Sequence, residues 1–276
     1  MRNLKRGDLM LNDLEMIVRH FEEEIDIIPI ADVHLGAIEH NAKEWDEFLV
    51  RVKDEPNTYF ILVGDLIQNN VKSAVGSPFD QVWRPMEQKA IMARYLEPFA
   101  DRILCAVSGN HERRTTKEAD QDLTYDIMAK LGIEDRYREN LAFLKVGIGS
   151  RPMPRTSKGT SANVSYMFCV THGSAGGRLT GNPTNRAEEF ARIIEGLDCL
   201  VLGHSHKGIV TRPQRIVIDS HNNLVSLKSY LVVSAEAWME YGGYAANKML
   251  QPAENSHPQR LHLRKNRDNK RIEVLW

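Results

Sequence analysis

The chain has 276 residues, of which 42% are hydrophobic and 26% charged, so its composition is that of a folded globular protein and excludes predominant disorder. Its 36 basic and 37 acidic residues nearly cancel, which excludes a general positive field that would draw the whole surface to nucleic acid or anionic membrane. The N-terminus lacks the apolar core of a signal peptide, and no later stretch approaches the ~20 apolar residues of a membrane span. We therefore expect a cytoplasmic protein with no membrane partner.

The elements are predicted from the alternation of apolar runs with amphipathic stretches. Residues 1–22 are predicted as a helical extension, and residues 23–276 as a single domain. Six apolar runs predict buried strands at residues 25–31, 59–63, 103–107, 166–170, 199–202 and 231–233. Helix-like segments follow the earlier runs at residues 41–53, 85–99, 117–131 and 185–195. This alternation predicts an α/β fold with parallel strands and helices on the sheet faces.

Three local features modify this prediction. Pro29 lies inside the first apolar run and cannot donate to a strand ladder, so it indicates a strand end or a bulge. After about residue 212, short strand-like pieces separated by turn residues predict a second, more antiparallel sheet; they are residues 215–219, 224–227, 259–264 and 271–275. The three cysteines, Cys105, Cys169 and Cys199, lie in or beside apolar runs without CxxC spacing and are predicted to be buried free thiols.

Five of the predicted strands end in residues that can bind a metal ion. These residues are Asp32 and His34, Asp65, Asn110, His172, and His204 with His206. Ligands bind beyond the carboxyl ends of the strands in open α/β sheets, so the fold is expected to bring these side chains together. Glycines that permit tight turns stand beside them at Gly64, Gly109, Gly173 and Gly203.

The residue types indicate which ions would bind. Four imidazoles, two carboxylates and one amide oxygen suit Mn²⁺, Fe²⁺ or Zn²⁺ better than Mg²⁺ or Ca²⁺, which prefer oxygen ligands alone. Seven ligands suffice for two ions that share a carboxylate, and the charge left on such a centre would attract an anionic substrate. A lone Asp-x-His or His-x-His pair is commonly accidental, and Asn110 with His111 could be only a polar turn. Five such accidents at strand ends beside glycines would be needed for that alternative.

The motifs in chain order are Asp32-Val33-His34, Gly64-Asp65, Gly109-Asn110-His111-Glu112, Thr171-His172-Gly173 and Gly203-His204-Ser205-His206. Together they resemble the signature of the calcineurin-like metallophosphoesterase superfamily, over about residues 25–210. The resemblance implies a four-layer α/β/β/α sandwich of two mixed sheets flanked by helices. It implies one metal held by Asp32, His34, Asp65 and His206, and a second held by Asp65, Asn110, His172 and His204.

The resemblance also implies a mechanism. Water activated by the two metals attacks the phosphate ester, Asp65 bridges the metals, and His111 acts as the general acid. Several branches of the superfamily have an aspartate at the position of Gln68, and it orients the acid histidine in the Ser/Thr protein phosphatases. The sequence leaves open what orients His111 here, and Glu112 is one candidate.

Features outside the metal motifs bear on the substrate. A glycine-rich loop ends at Arg178, which together with Asn110 and His111 could contact a substrate phosphate, or could simply face solvent. The C-terminal basic residues could contact a nucleic-acid backbone or form an ordinary charged hairpin; they are Arg260, Arg264, Lys265, Arg267, Lys270 and Arg271. The motifs and the sequence Tyr241-Gly242-Gly243-Tyr244 resemble small phage and prophage members grouped with the DNA-repair exonuclease branch.

Three hypotheses follow from the sequence. The first is a Mn²⁺-dependent phosphodiesterase that acts on DNA, RNA or nucleotides, with Fe²⁺ or Zn²⁺ as alternative metals. The second is an enzyme for small molecules, either a phosphomonoesterase or a cyclic nucleotide phosphodiesterase. The third is a non-catalytic scaffold stabilised by metal. The sequence does not indicate an oligomeric state.

Overall fold

Two mixed six-stranded sheets form the centre of the protein. The computed structural model describes residues 13–74, 77–149, 163–174, 179–265 and 270–276. In spatial order the first sheet comprises Met16–Phe21 (β1), Leu141–Ile148 (β6), Val164–Thr171 (β7), Cys199–Leu202 (β8), Leu231–Ser234 (β12) and Ile209–Thr211 (β9). The second comprises Ile272–Leu275 (β14), Arg260–Leu263 (β13), Ile25–Ile30 (β2), Thr58–Leu62 (β3), Ile103–Val107 (β4) and Tyr137–Arg138 (β5).

Helices cover the outer faces of both sheets. They are Ala42–Lys53 (α1), Pro85–Leu96 (α2), Glu112–Ala119 (α3), Leu123–Lys130 (α4), Gly181–Arg192 (α5) and Gly243–Asn247 (α6), with 3-10 turns at Glu97–Arg102 and Glu134–Arg136. Apolar residues of α1, α2 and α4 pack on the second sheet, and those of α5 pack on the first. A third apolar cluster fills the space between the sheets. The predicted four-layer α/β/β/α sandwich is confirmed.

The parallel strands β2, β3 and β4 carry the first three ligand motifs at their carboxyl ends. β7 and β8 also pair in parallel and carry the remaining ones. Pro29 lies within β2 without breaking a ladder, because the antiparallel neighbour β13 pairs with β2 only at residues 25–27. The three cysteines are free and buried, as predicted.

Three sequence predictions differ from this fold, in whole or in part. Residues 16–21 form the edge strand β1 instead of part of a helical extension, because Ile17 and its β-branched neighbour Val18 suit a half-buried edge that pairs with β6. Residues 1–12 lie outside the described part of the chain. The predicted second antiparallel sheet is only partly separate, since β13 pairs with β2 and buries Leu261 and Leu263 in the core between the sheets.

The remaining C-terminal strands, Gln214–Asp219 (β10) and Leu224–Ser229 (β11), form a separate two-stranded hairpin. The segment predicted as one helix at 117–131 is divided into α3 and α4. Asp120 ends α3 in a left-handed conformation with φ 54°, and the Asp122 side chain accepts from Tyr125 N to begin α4.

An aromatic cluster connects α1 to the loop that carries the first ligand motif. The ring of Trp238 lies 5.0 Å from that of Trp45 and 4.7 Å from that of Phe48, and Trp238 is 1% exposed. Its main-chain N–H donates to Asp32 O, and its carbonyl accepts from Asn41 N at the start of α1. This packing therefore supports the position of Asp32.

We expect Trp238→Ala to lower the free energy of unfolding by about 3–5 kcal/mol, because truncation of a buried tryptophan leaves a cavity. Urea unfolding followed by circular dichroism measures the change. Trp276→Ala is the matched control, since that side chain is 69% exposed and its loss should change stability little. Equal stabilities for the two variants would contradict this account of the packing.

Candidate metal centre

The five predicted strand ends meet at one edge of the two sheets. Three groups of side chains there could each hold a metal ion. Within each group, the ligand atoms lie within 4.8 Å of one another. The groups are Asp32, His34 and His206; His34, Asp65 and His111; and Asp65, His172 and His204. His34 and Asp65 each belong to two groups, so the three form one continuous centre.

The first half of the centre contains an aspartate oxygen without a hydrogen-bond partner. His206 Nε2 lies 3.4 Å from Asp32 Oδ1 and 3.1 Å from His34 Nε2. Asp32 is fully buried, and its Oδ1 has no hydrogen-bond partner. Burying a carboxylate oxygen in this way costs free energy unless a cation or proton compensates for it. The observation fits a metal ion at this position.

The second half of the centre collects nitrogen and oxygen atoms around Asn110. His172 Nε2 lies 3.0 Å and His204 Nδ1 lies 2.7 Å from Asn110 Oδ1. His172 Nε2 also lies 3.2 Å from Asp65 Oδ2, which in turn is 3.9 Å from His34 Nε2. The Asp65 carboxylate therefore faces both halves of the centre.

The side chains are presented by a strained backbone. Five ligand candidates other than glycine have left-handed φ values, namely Asp32 (51°), His34 (48°), Asp65 (51°), His204 (67°) and His206 (55°). Each such conformation is costly for a residue with a side chain, and such residues cluster at functional sites. Hydrogen bonds between the loops compensate, with Asp32 N donating to Gly64 O and His34 N to Asp65 O.

Two glycines predicted to permit tight turns allow the loops to approach each other. A Cβ atom on Gly109 would lie 2.1 Å from Asp65 Oδ1, and one on Gly203 would lie 2.9 Å from Asp32 Oδ2. Any side chain at either position would therefore displace an aspartate of the centre.

Hydrogen bonds behind the centre determine which imidazole nitrogen faces it. His172 Nδ1 lies 2.7 Å from Val63 O, and His34 Nδ1 lies 3.0 Å from Gln68 Oε1. Since these oxygens can only accept, each Nδ1 carries the hydrogen, and each Nε2 keeps a lone pair for a metal. Sequence reasoning missed this role of Gln68, because it depends on the conformation of the loop after β3.

The main chain of Gln68 orients the predicted acid. His111 Nδ1 lies 2.7 Å from Gln68 O, and its Nε2 faces the centre 3.9 Å from Asp65 Oδ2. Burial lowers the pKa of His111, and the Asp65 carboxylate opposes this effect. A carbonyl thus takes the place of the aspartate of other branches, and Glu112, the candidate considered from sequence, does not contact the ring.

Glu112 instead joins two loops of the centre. Its fully buried carboxylate accepts hydrogen bonds from the main-chain N–H groups of Asp65 (3.0 Å), Leu66 (2.6 Å), Ile67 (3.2 Å) and Gly109 (3.0 Å). Burial and the charge of Asp65 raise the pKa of Glu112 to about 7, and the N–H donors oppose that rise. Nothing in the local sequence around Glu112 indicates these four contacts.

The charges within the centre shift the pKa values of its histidines in different directions. Burial opposes protonation of His172, but the Asp65 carboxylate outweighs it and raises the pKa of His172 to about 10. Burial likewise opposes protonation of His206, whose pKa is raised by Asp32, whereas burial lowers the pKa of His34 and of His204. A metal ion must displace the protons of His172 and His206, so its affinity should fall as the pH falls.

The remaining sequence predictions concern substrate contacts. Arg178 lies outside the described residues. Of the basic C-terminal residues, Arg260, Arg264, Lys265 and Lys270 form ion pairs with carboxylates. These pairs agree with a charged hairpin and do not favour the nucleic-acid alternative.

The fold and the metal-binding groups are those of a metal-dependent phosphoesterase. The profile of the calcineurin-like phosphoesterase family matches residues 25–208, about two-thirds of the chain, and the chain belongs to that family. A search of curated proteins found no match. Within the described ranges, no helix has the length and apolar character needed to cross a membrane.

We expect Gln68→Leu to weaken Mn²⁺ binding by about 10–100-fold, because His34 loses the acceptor that fixes its Nδ1 hydrogen. Isothermal titration calorimetry measures the affinity. Gln121→Leu is the control, since the Gln121 side chain is exposed and belongs to none of the ligand groups of the centre. If both variants bind Mn²⁺ as tightly as the unmodified protein, the Gln68 side chain does not support the centre.

Proposed function

We propose that the protein is a phosphodiesterase acting on nucleic acid or nucleotides with two divalent cations, Mn²⁺ being the first choice. The observation that carries the proposal is the position of Asp65 Oδ2, which lies between His34 Nε2 and His172 Nε2. A carboxylate facing two groups of ligands suits a pair of cations. The mixed nitrogen and oxygen donors favour Mn²⁺, Fe²⁺ or Zn²⁺.

Each half of the centre would hold one of the two cations. One would be held by Asp32, His34, Asp65 and His206, and the other by Asp65, Asn110, His172 and His204. When bound, the cations supply positive charge and lower the pKa of water, so that hydroxide is available near neutral pH. The protein holds these ligands in place before substrate arrives, because the hydrogen bonds of Val63 O and Gln68 Oε1 fix two of the rings.

His111 is proposed to protonate the leaving oxygen. Its Nδ1 hydrogen is held by Gln68 O, so the proton for the leaving oxygen would be carried on Nε2 of the imidazolium form, and its transfer would leave the ring neutral. Asn110, the neighbouring residue, would place a phosphate oxygen within reach of His111. Arg178 remains a proposed additional phosphate contact.

Arg114 supports the loop that orients His111. Its guanidinium donates to Gln68 O (3.2 Å) and Asn70 Oδ1 (3.1 Å). The carbonyl that accepts from the His111 ring is thus itself held in place by a charged donor.

With Mn²⁺ present, we expect faster hydrolysis of bis(p-nitrophenyl) phosphate than of p-nitrophenyl phosphate. Asp65→Asn should reduce kcat/KM for the diester by about 100-fold or more, because it removes a charge facing both cations. Initial rates of p-nitrophenolate release measure both effects. Asp101→Asn, which alters an exposed carboxylate outside the centre, should retain activity.

Preference for the monoester would replace the diesterase proposal with a small-molecule phosphatase. Equal activity in the unmodified protein and Asp65→Asn would identify a contaminating enzyme. If the Mn²⁺-loaded protein hydrolyses short esters but does not cleave DNA or RNA, nucleic acid is excluded as the substrate class and nucleotides remain.

His111→Asn should slow hydrolysis of a dinucleotide by about 10²–10⁴-fold, since an alkoxide leaving group needs a proton. The effect on bis(p-nitrophenyl) phosphate should be smaller, because p-nitrophenolate leaves without one. His221→Asn is the matched control, as His221 is an exposed residue in the turn between β10 and β11. Equal losses with the two substrates would argue against the role of a general acid.

A further inference from the structure

A cavity of about 360 Å³ lies between α5 and the end of the first sheet. Its wall includes Gly173 and Gly203, which are the immediate chain neighbours of His172 and His204. Arg113 also lines it, three residues after Asn110. The cavity therefore lies beside the loops that carry His172, His204 and Asn110, although the side chains of these three residues are not part of its wall.

The lining of the cavity combines an apolar floor with hydrogen-bond donors. Leu141, Phe190 and Leu202 contribute apolar side chains. Arg113, Arg186, Asn140 and Ser174 contribute polar ones. No carboxylate is among the lining residues that the structure describes. Such a lining suits a flat, partly apolar group that carries acceptor atoms, and does not suit a cationic group.

Of the two arginines in the wall, Arg186 retains donors that the fold does not use. Arg113 Nη2 donates to Ser108 O and Glu139 O, both at 3.0 Å, which fixes the guanidinium in place. Its Nε has no hydrogen-bond partner but is buried, so it does not meet a ligand in the cavity. Arg186 is exposed on α5 and forms no ion pair with a described residue. Its guanidinium is therefore the charged donor of the wall that a ligand can use.

The size of the cavity limits the ligand further. Ligand cavities commonly measure about 300–1,000 Å³, so this one is at the lower end of the range. It can hold one nucleoside but not a second strand of nucleic acid. A nucleobase offers two flat apolar faces with acceptor atoms on its edge, and the sugar adds further acceptor oxygens.

We propose that this cavity binds one nucleoside of the substrate and thereby places the adjoining phosphate at the second half of the metal centre. The inference rests on the proposed phosphodiesterase function and makes it more specific, because it predicts selection for nucleotide esters over esters of the same chemistry without a nucleoside. The base lies on the apolar floor, and Arg186 donates to its acceptor atoms or to the sugar.

The test compares two diesters with the same leaving group, thymidine 5′-monophosphate p-nitrophenyl ester and bis(p-nitrophenyl) phosphate. The ratio of their kcat/KM values should favour the thymidine ester in the unmodified protein. Arg186→Gln should reduce this ratio about tenfold, as expected for loss of a charge-assisted hydrogen bond. Arg192→Gln, on the same helix but outside the cavity wall, should leave the ratio within about twofold.

A second variant fills the cavity. Ala187 lies in its wall on α5, and Ala187→Leu should reduce the ratio by at least as much as Arg186→Gln. Thermal unfolding of each variant separates loss of selectivity from loss of folding. A ratio that neither folded variant alters would overturn the proposal, as would preference for a choline ester of phosphate over the thymidine ester.

Calorimetry with thymidine 5′-monophosphate and metal-free protein distinguishes failure of the cavity from failure of the proposed function. Binding that is weakened about tenfold by Arg186→Gln supports the cavity even if no ester is hydrolysed. Ester hydrolysis without binding, and without any effect of the two variants on the ratio, leaves the function standing and rejects the cavity.

Discussion

The hydrogen bonds of the Glu112 carboxylate are the interaction on which the rest of the centre depends. Four main-chain N–H groups converge on it, three from the loop after β3 and one from the loop after β4. The same loops carry Asp65, Asn110 and His111. Because Asp65 has a left-handed backbone, the turn needs such compensation to persist. One buried carboxylate thus positions both Asp65, the proposed bridging ligand, and His111, the proposed acid.

The electrostatics of the centre follow from this enforced proximity. Asp32 and Asp65 are buried, so their carboxylates lose the solvation that water would provide, and this loss costs free energy. Nearby histidines compensate in part, as the pKa of His172 raised to about 10 indicates. The unpartnered Asp32 Oδ1 remains. A cation in each half would satisfy these carboxylates and convert an unfavourable arrangement into a binding site.

Local sequence patterns suffice to predict the parallel strands and the side chains that meet beyond their carboxyl ends, because each of those strands is a short apolar run that ends in a turn. The edge strand β1 and strand β6 were not found, since Lys145 interrupts β6 and an edge strand needs only one buried face. The sequence predicts β13 as a strand but does not predict the sheet to which it belongs. Its partner β2 lies over two hundred residues earlier, and no local pattern records such a pairing.

The role of Gln68 shows why a motif alone does not define a mechanism. Its side chain orients His34 and its main chain orients His111, so one residue supports both a metal ligand and the proposed acid. A carbonyl is uncharged, and it therefore fixes the tautomer of His111 while stabilising the imidazolium less than an aspartate would. Gln68 thus fixes the direction of the His111 ring and itself supplies no negative charge that would raise the pKa of the imidazole.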